Sequence, residues 1–267
     1  MTDWRRYLAA FHARSPGITE DVLARSTADG LTPYQWLARA LAVDGGRVLD
    51  LACGSAVMAR VLRADGPERA GDVIGIDLSE AELRRARSDN PAGMLVRGPA
   101  EALPFADNTV DAVVCSMGLM VFEHYETVLG ECARVLRPGG VLALTVPTAV
   151  PLRVDDVWLF TRLAARLRAL PRFPAGSEMT GLRTALERAG FRVLEDARER
   201  FAFTVRADEH AAADADLLTS SLYLPGTIDR RRRSAAGWLA GRATRAAVGI
   251  DVAVPIRRVV AAQVRPR

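Results

Sequence analysis

The sequence predicts an α/β fold in which short buried strands alternate with amphipathic helices. Three observations carry this. Residues 47–51 form an apolar run interrupted by Asp50, Ala52 to Ser55 is a small-residue turn, and Val57 to Ala64 has helical spacing with Val57, Val61 and Leu62 on one side. A second apolar run, Asp72 to Asp77, again ends in an acid. Further short runs at 94–97, 110–115 and 141–146 are separated by helix-length segments. Strand, turn, helix is how such a sheet opens a ligand crevice at the carboxyl end of its first core strand.

Composition bounds the rest. A chain of 267 residues that is 49% hydrophobic can fill one larger domain. All 36 basic residues are Arg, and the net charge is +4. So much Arg beside so much Ala reads as coding bias more than as a nucleic-acid footprint. The dense basic cluster, Arg230 to Arg233, reads as a solvated helix start, with an RNA or membrane-surface contact as the alternative. Cys53, Cys115 and Cys132 are odd in number and lack metal-type spacing, so free thiols and no metal site are expected. No signal-peptide run and no stretch of about 18 apolar residues is present, which predicts a cytoplasmic protein with no membrane partner.

The turn at 52–55 narrows the ligand. A dinucleotide site wants several glycines, and this turn has one, Gly54. Asp50 would also repel a pyrophosphate. An acid there suits a ligand with positive charge near the turn, and S-adenosylmethionine (SAM) has an α-ammonium, a sulfonium and no phosphate. VLDLACGSA resembles the first motif of class I SAM-dependent methyltransferases, whose usual form is VLDLGCGTG; Ala52 and Ala56 replace two of its glycines. Asp50, Ala52, Cys53 and Gly54 are therefore expected at the cofactor, with both alanines tolerated and slightly less room for the methionine moiety.

The elements follow in order. Residues 1–45 read as helices outside the core unit, with Trp4, Leu8 and Phe11 at helical spacing and a break at Ser15-Pro16-Gly17. Thr19 with Asp21 is expected to cap the second helix, and Thr32-Pro33 to start a third carrying Tyr34 and Trp36. This segment is expected to act as a lid over cofactor and substrate. Asp77, about twenty residues past the turn, has the spacing of an acid that accepts ribose hydroxyls. IGIDLSE resembles the second motif of the same class. Leu78 would then contact the adenine face, and Ser79 caps the next helix with Glu82 as capping-box partner. After the strand at 94–97, GPAEALPF resembles the GDAxxLPF signature of small-molecule methyltransferases, with Pro99 where the adenine-binding Asp would stand. Adenine is then read by backbone near Ala100, by Glu101, or by shape.

The fourth strand, 110–115, leads into Ser116 and Met117, which should line the crevice beside the reactive methyl. The polar-Pro-Pro-aromatic motif of adenine N-methyltransferases does not occur, which argues against a nucleic-acid base as acceptor. CSMGLMVF resembles the quinone- and polyketide-biosynthesis branch; Met117, Leu119, Met120 and Phe122 suit an apolar acceptor, or equally a plain core. A helix over 125–136, the turn Arg137 to Gly140 and a strand over 141–146 complete residues 46–147 as the SAM-binding core. Residues 148–267 form the other half of the domain. It holds a cap insertion at 148–176 with a helix from Asp156 to Leu170, a helix over 177–189 and a strand over 191–203. A second cap at 208–246, broken at Pro225-Gly226, precedes a last strand at 252–264.

The resemblance implies a Rossmann-like, seven-stranded, mostly parallel sheet with helices on both faces and one antiparallel strand near its end. It also implies SAM-dependent methylation of a small, largely apolar metabolite at O, N or C, with S-adenosylhomocysteine (SAH) as product, in a monomer or homodimer. Because the sulfonium is already activated, positioning supplies most of the rate, and a base is needed only where the nucleophile must lose a proton. His124, at the crevice mouth, and His12, in the lid, are the base candidates, with His210 behind them. Arg14 is a candidate partner for the cofactor carboxylate. A non-methylating cyclisation on the same fold, an RNA methyltransferase and a non-catalytic binding protein are the rival readings.

Overall fold

A computed structural model of the chain describes residues 2–41, 45–64, 71–90, 93–176 and 179–264. The N-terminal segment folds as α1 (Trp4–Arg14), α2 (Ile18–Arg25), the two-residue β1 (Ser26–Thr27) and α3 (Pro33–Ala38). Then come β2 (Val48–Leu51), α4 (Val57–Ala64), β3 (Val73–Asp77), α5 (Glu80–Asp89), β4 (Met94–Arg97) and β5 (Val110–Ser116). A 3-10 turn at Leu119–Val121 leads to α6 (Tyr125–Val135) and β6 (Leu136–Pro147). The last part holds α7 (Val154–Leu167), α8 (Leu182–Arg188), β7 (Phe191–Val205), α9 (Ala211–Ser221), α10 (Asp229–Ala243) and β8 (Ile250–Gln263).

Among the described residues these strands form one sheet in the order β1-β7-β8-β6-β5-β2-β3-β4. The pairs from β6 through β5, β2 and β3 to β4 are parallel. β8 runs antiparallel to both β6 and β7, as the one reversed strand of the seven expected. The eighth is β1, which pairs Ser26 with Phe203 and Thr27 with Ala202. Two residues carry no periodicity, so no sequence pattern announces β1; it is made by its partner strand and by Ser26, whose hydroxyl donates to the Val22 carbonyl.

All four β2 residues are buried, as a strand covered on both faces requires. Leu49 and Leu51 face a core shared with α6 and α8, while Val48 faces α3 and α4. Asp50 is the polar exception on the α3/α4 side. The β7–β8 end is closed by α2, α7, α9 and α10, through Val22, Leu159, Leu218 and Leu239 around Phe203.

The differences from expectation are local. α7 spans Val154–Leu167 and stops at Arg168, whose φ is 52°. It buries Leu163 and Leu167 beside Leu224 and Ala235, and Asp156 is bound twice by Arg200 of β7. The apolar face read as a cap is thus spent on the sheet end, and no residue of α7 lines the cavity described below. α2 starts from Gly17 at φ 73°, so Thr19 falls inside the first turn and does not cap it; Glu82 accepts the Gly17 N–H. Thr32 does cap α3, reciprocally with Gln35. α8 starts at Leu182; Ser177 and Glu178 lie outside the described residues. In the Arg230–Arg233 run, Arg232 is buried and donates to the carbonyls of Thr219 and Leu222, so it braces α9 from within. No described helix is long and apolar enough to cross a membrane.

Candidate active site

The chain leaves β2 toward β3 and β4 on one side and returns to β5 on the other, which opens a crevice at the carboxyl ends of the strands. A cavity of about 870 Å³ lies there, near the top of the ~300–1,000 Å³ usual for small-molecule sites. One wall is the ends of β2, β3 and β5. The opposite wall is one face of α1, with Trp4, Leu8 and His12.

The turn after β2 carries the unusual chemistry. Asp50 is 1% exposed, and its Oδ2 has no hydrogen-bond partner among the described residues. Burial pushes its pKa up to about 8, and the charges of Asp77 and Glu20 add to that. Ala52, Gly54 and Ala56 all hold left-handed backbone, at φ 53°, 51° and 59°. Cys53 is buried, its N–H donates to the Ile76 carbonyl at 3.0 Å, and burial raises its thiol pKa, so it is no nucleophile.

Asp77 closes this turn from β3. Its Oδ2 accepts the Gly54 N–H at 2.9 Å and its Oδ1 the Ser79 N–H at 2.8 Å. Burial raises its pKa, and those two N–H groups oppose the rise. Each carboxylate oxygen still has a second acceptor position.

The remaining expected contacts fall along the same cavity. Leu78, 55% exposed, lines it, as do Ala100 and Glu101. Ser116 and Met117 line it after β5; the Ser116 hydroxyl lies 3.3 Å from that of Thr145, and Met117 is held at φ 54° while its N–H donates to the Thr145 carbonyl. Of the base candidates, His124 is exposed in the lining, just before α6, and its side chain caps nothing. His12 has both ring nitrogens engaged: Nδ1 is 2.8 Å from Glu82 Oε1, and Nε2 is 3.3 Å from the Tyr223 hydroxyl. Burial disfavours charge on His12, yet the hydrogen bond and charge of Glu82, with Glu20 and Asp77 behind, raise its pKa. An imidazole held this way between Glu82 and Tyr223 is a brace for α1, with both ring nitrogens engaged and none left free for base work. His210 bonds Asp208, and neither it nor Arg14 is in the cavity lining.

Tyr34, a candidate contact from the N-terminal segment, does line the cavity; Glu20 and Tyr223 line it too and were not foreseen as site residues, and Glu82, outside the lining, was foreseen only as a cap partner. Ser79 caps α5 as the spacing predicts, accepting the Glu82 N–H. The Glu82 carboxylate, however, turns away to His12 and the Gly17 N–H and is 1% exposed. Glu20 reaches from α2 to the turn, where its Oε1 accepts the Ser55 N–H at 2.9 Å. Burial pushes Glu20 up to about 7, with the charge of Glu82 adding. Gly54 records this approach, because a Cβ there would overlap the Glu20 carboxylate.

Comparison with known proteins finds methyltransferases. A family model described as a methyltransferase domain matches residues 49–144. A malonyl-acyl-carrier-protein O-methyltransferase of Enterobacter lignolyticus is 32% identical over 184 residues, 68% of this chain and 70% of the relative. A demethylmenaquinone methyltransferase of Renibacterium salmoninarum is 36% identical over 133 residues, 49% of this chain and 52% of the relative. The chain spans about half the length of most curated relatives it matches. Among solved structures, the 4+2 cyclase SpnF superposes with TM-score 0.59 over 97% of this chain and 96% of that one, at 18% identity.

Proposed function

The chain belongs to the class I SAM-dependent methyltransferases, and from that premise we propose that it binds SAM and methylates a small, largely apolar metabolite. Asp50 carries the reading. A buried carboxylate oxygen without a partner costs about 1–3 kcal/mol or more, and an ammonium placed against it offsets that cost. Asp77 offers spare acceptors to a ribose diol. Leu78 and Pro99 offer apolar surface to a purine, and Ala100 with Glu101 offers its edge polar groups. This donor set fits SAM and would repel a pyrophosphate.

When bound, SAM supplies an activated methyl group. The protein's part is to orient and to exclude water: α1 covers the crevice, and Met117, Val121 and Phe122 put apolar surface beside it. If an acceptor must lose a proton, His124 is the cavity histidine with its ring uncommitted to any described hydrogen bond. The relatives named for demethylmenaquinone and malonyl-acyl-carrier protein support a metabolite-type acceptor.

Titration calorimetry with SAH tests the cofactor assignment. Wild type is expected to bind in the micromolar range and Asp77→Ala to show no measurable binding; unchanged binding in that variant refutes the role given to Asp77. The whole-length likeness to a cyclase keeps a non-methylating reaction as the second reading. Isotope-labelled methyl separates the two, because only methylation adds labelled mass to the product.

A further inference from the structure

We propose that Glu20, on helix α2, is a second anchor for the cofactor's α-ammonium, so that the N-terminal segment itself reads the amino-acid end of the ligand. This rests on the cofactor reading above. Glu20 is presented from outside the core unit, yet its carboxylate sits on the turn that follows β2, held by the Ser55 N–H. It lies so close over Gly54 that any side chain at that position would displace it. Asp50 lines the same cavity from the core side, and its Oδ2 is buried and unpaired. One carboxylate from each side of the crevice therefore meets at the glycine turn.

The charges around them do not balance from within. Glu20 faces His12 from α1, Tyr34 from α3, Asp50 and Asp77 from the strand ends, Glu82 from α5 and Tyr223 after α9. Only His12 among these brings positive charge, and it is bonded to Glu82. Arg5, Arg84 and Arg97 line the cavity too but are exposed, and Arg60 of α4 comes to the same turn but donates to the Ser55 carbonyl and is outside the lining. A ligand ammonium between Glu20 and Asp50 supplies the missing cation. Because burial holds both acids partly protonated near neutral pH, that ammonium must also displace protons.

Calorimetry with two ligands tests this. SAH carries the amino-acid group; 5′-methylthioadenosine keeps the nucleoside and sulfur and lacks it. Glu20→Gln keeps an acceptor for the Ser55 N–H and removes the charge. The variant is expected to weaken SAH by about tenfold or more while 5′-methylthioadenosine stays within about twofold, the size of one charge-assisted hydrogen bond. Wild type is expected to release protons on binding SAH near pH 7, read from heats in buffers of different ionisation enthalpy, and the variant to release fewer. Glu20→Ala should show the same selectivity. Unchanged SAH affinity overturns the proposal, as does an equal loss for both ligands, which would mark Glu20 as a purely structural plug. If wild type binds neither ligand, the cofactor reading itself fails, an outcome separate from any effect of the variants.

Discussion

Ala52 and Ala56 occupy left-handed backbone that glycine adopts freely and that costs an L side chain about 1–2 kcal/mol. Replacing Ala52 by Gly relieves that strain and gives back about 0.5–1 kcal/mol in chain entropy. Ala52→Gly should therefore stabilise the fold by roughly 0.5–1 kcal/mol. Ala56 is fully buried, so Ala56→Gly also loses about 0.8 kcal/mol of methyl burial and should come out near neutral. Urea unfolding of the two variants measures the difference; an Ala52→Gly variant less stable than wild type would show that the turn is not strained there. Other single residues were only half legible. Glu82 has capping-box spacing and its backbone obeys it, but its carboxylate chose His12. A carboxylate gains more from a charged imidazole than from one local N–H, and local spacing does not show that partner.

At the scale of elements, α1 is held over the crevice by an aromatic cluster, with Tyr7 and Phe11 against Tyr223, and by polar ties. The Tyr7 hydroxyl accepts the Leu224 N–H at 2.8 Å, and His12 is bonded to Glu82. The His12 pKa is raised in the fold, so the sign follows directly. Its contribution is fully present below about pH 6.5, the free-imidazole value, and is lost as pH rises through the raised value. Amide exchange across residues 4–14, corrected for intrinsic rates, should lose protection over that interval. Glu82→Gln should lower the protection and flatten its pH dependence; a variant that keeps the wild-type profile would remove His12–Glu82 as the brace. The helix α7 illustrates the limit of periodicity at this scale. Its apolar stripe was plain in the sequence, but a stripe says that a face is buried and not against what.

At the scale of the whole molecule, the N-terminal segment is two things. α2 and β1 belong to the sheet end: Val22 packs with Phe203 and Leu239, and Arg25 pairs with the buried Asp214 and lies 4.8 Å over the Phe203 ring. α1 instead packs on α5 across the crevice. Deleting residues 2–14 should thus leave cooperative unfolding intact and weaken SAH binding. Deleting residues 2–27 should cost more than about 3 kcal/mol, because Val22 and Leu23 each bury an apolar side chain worth about 1.5–3 kcal/mol. Urea unfolding midpoints of the two truncations decide it: equal midpoints would mean that the segment is one detachable lid.

What the sequence determined by itself was the order of the strands and helices other than β1, the crevice at the end of β2, and the two acids on its edges. Those follow from spacing along the chain, since period, turn chemistry and strand-end position are local properties. What only the tertiary structure decided was the partner of each buried charge. Glu20 and Tyr223 at the cavity, and Glu82 behind His12, each lie 35 or more residues along the chain from the groups they touch. A long-range contact is set by how helices pack on the sheet, and packing leaves no period in the sequence to read.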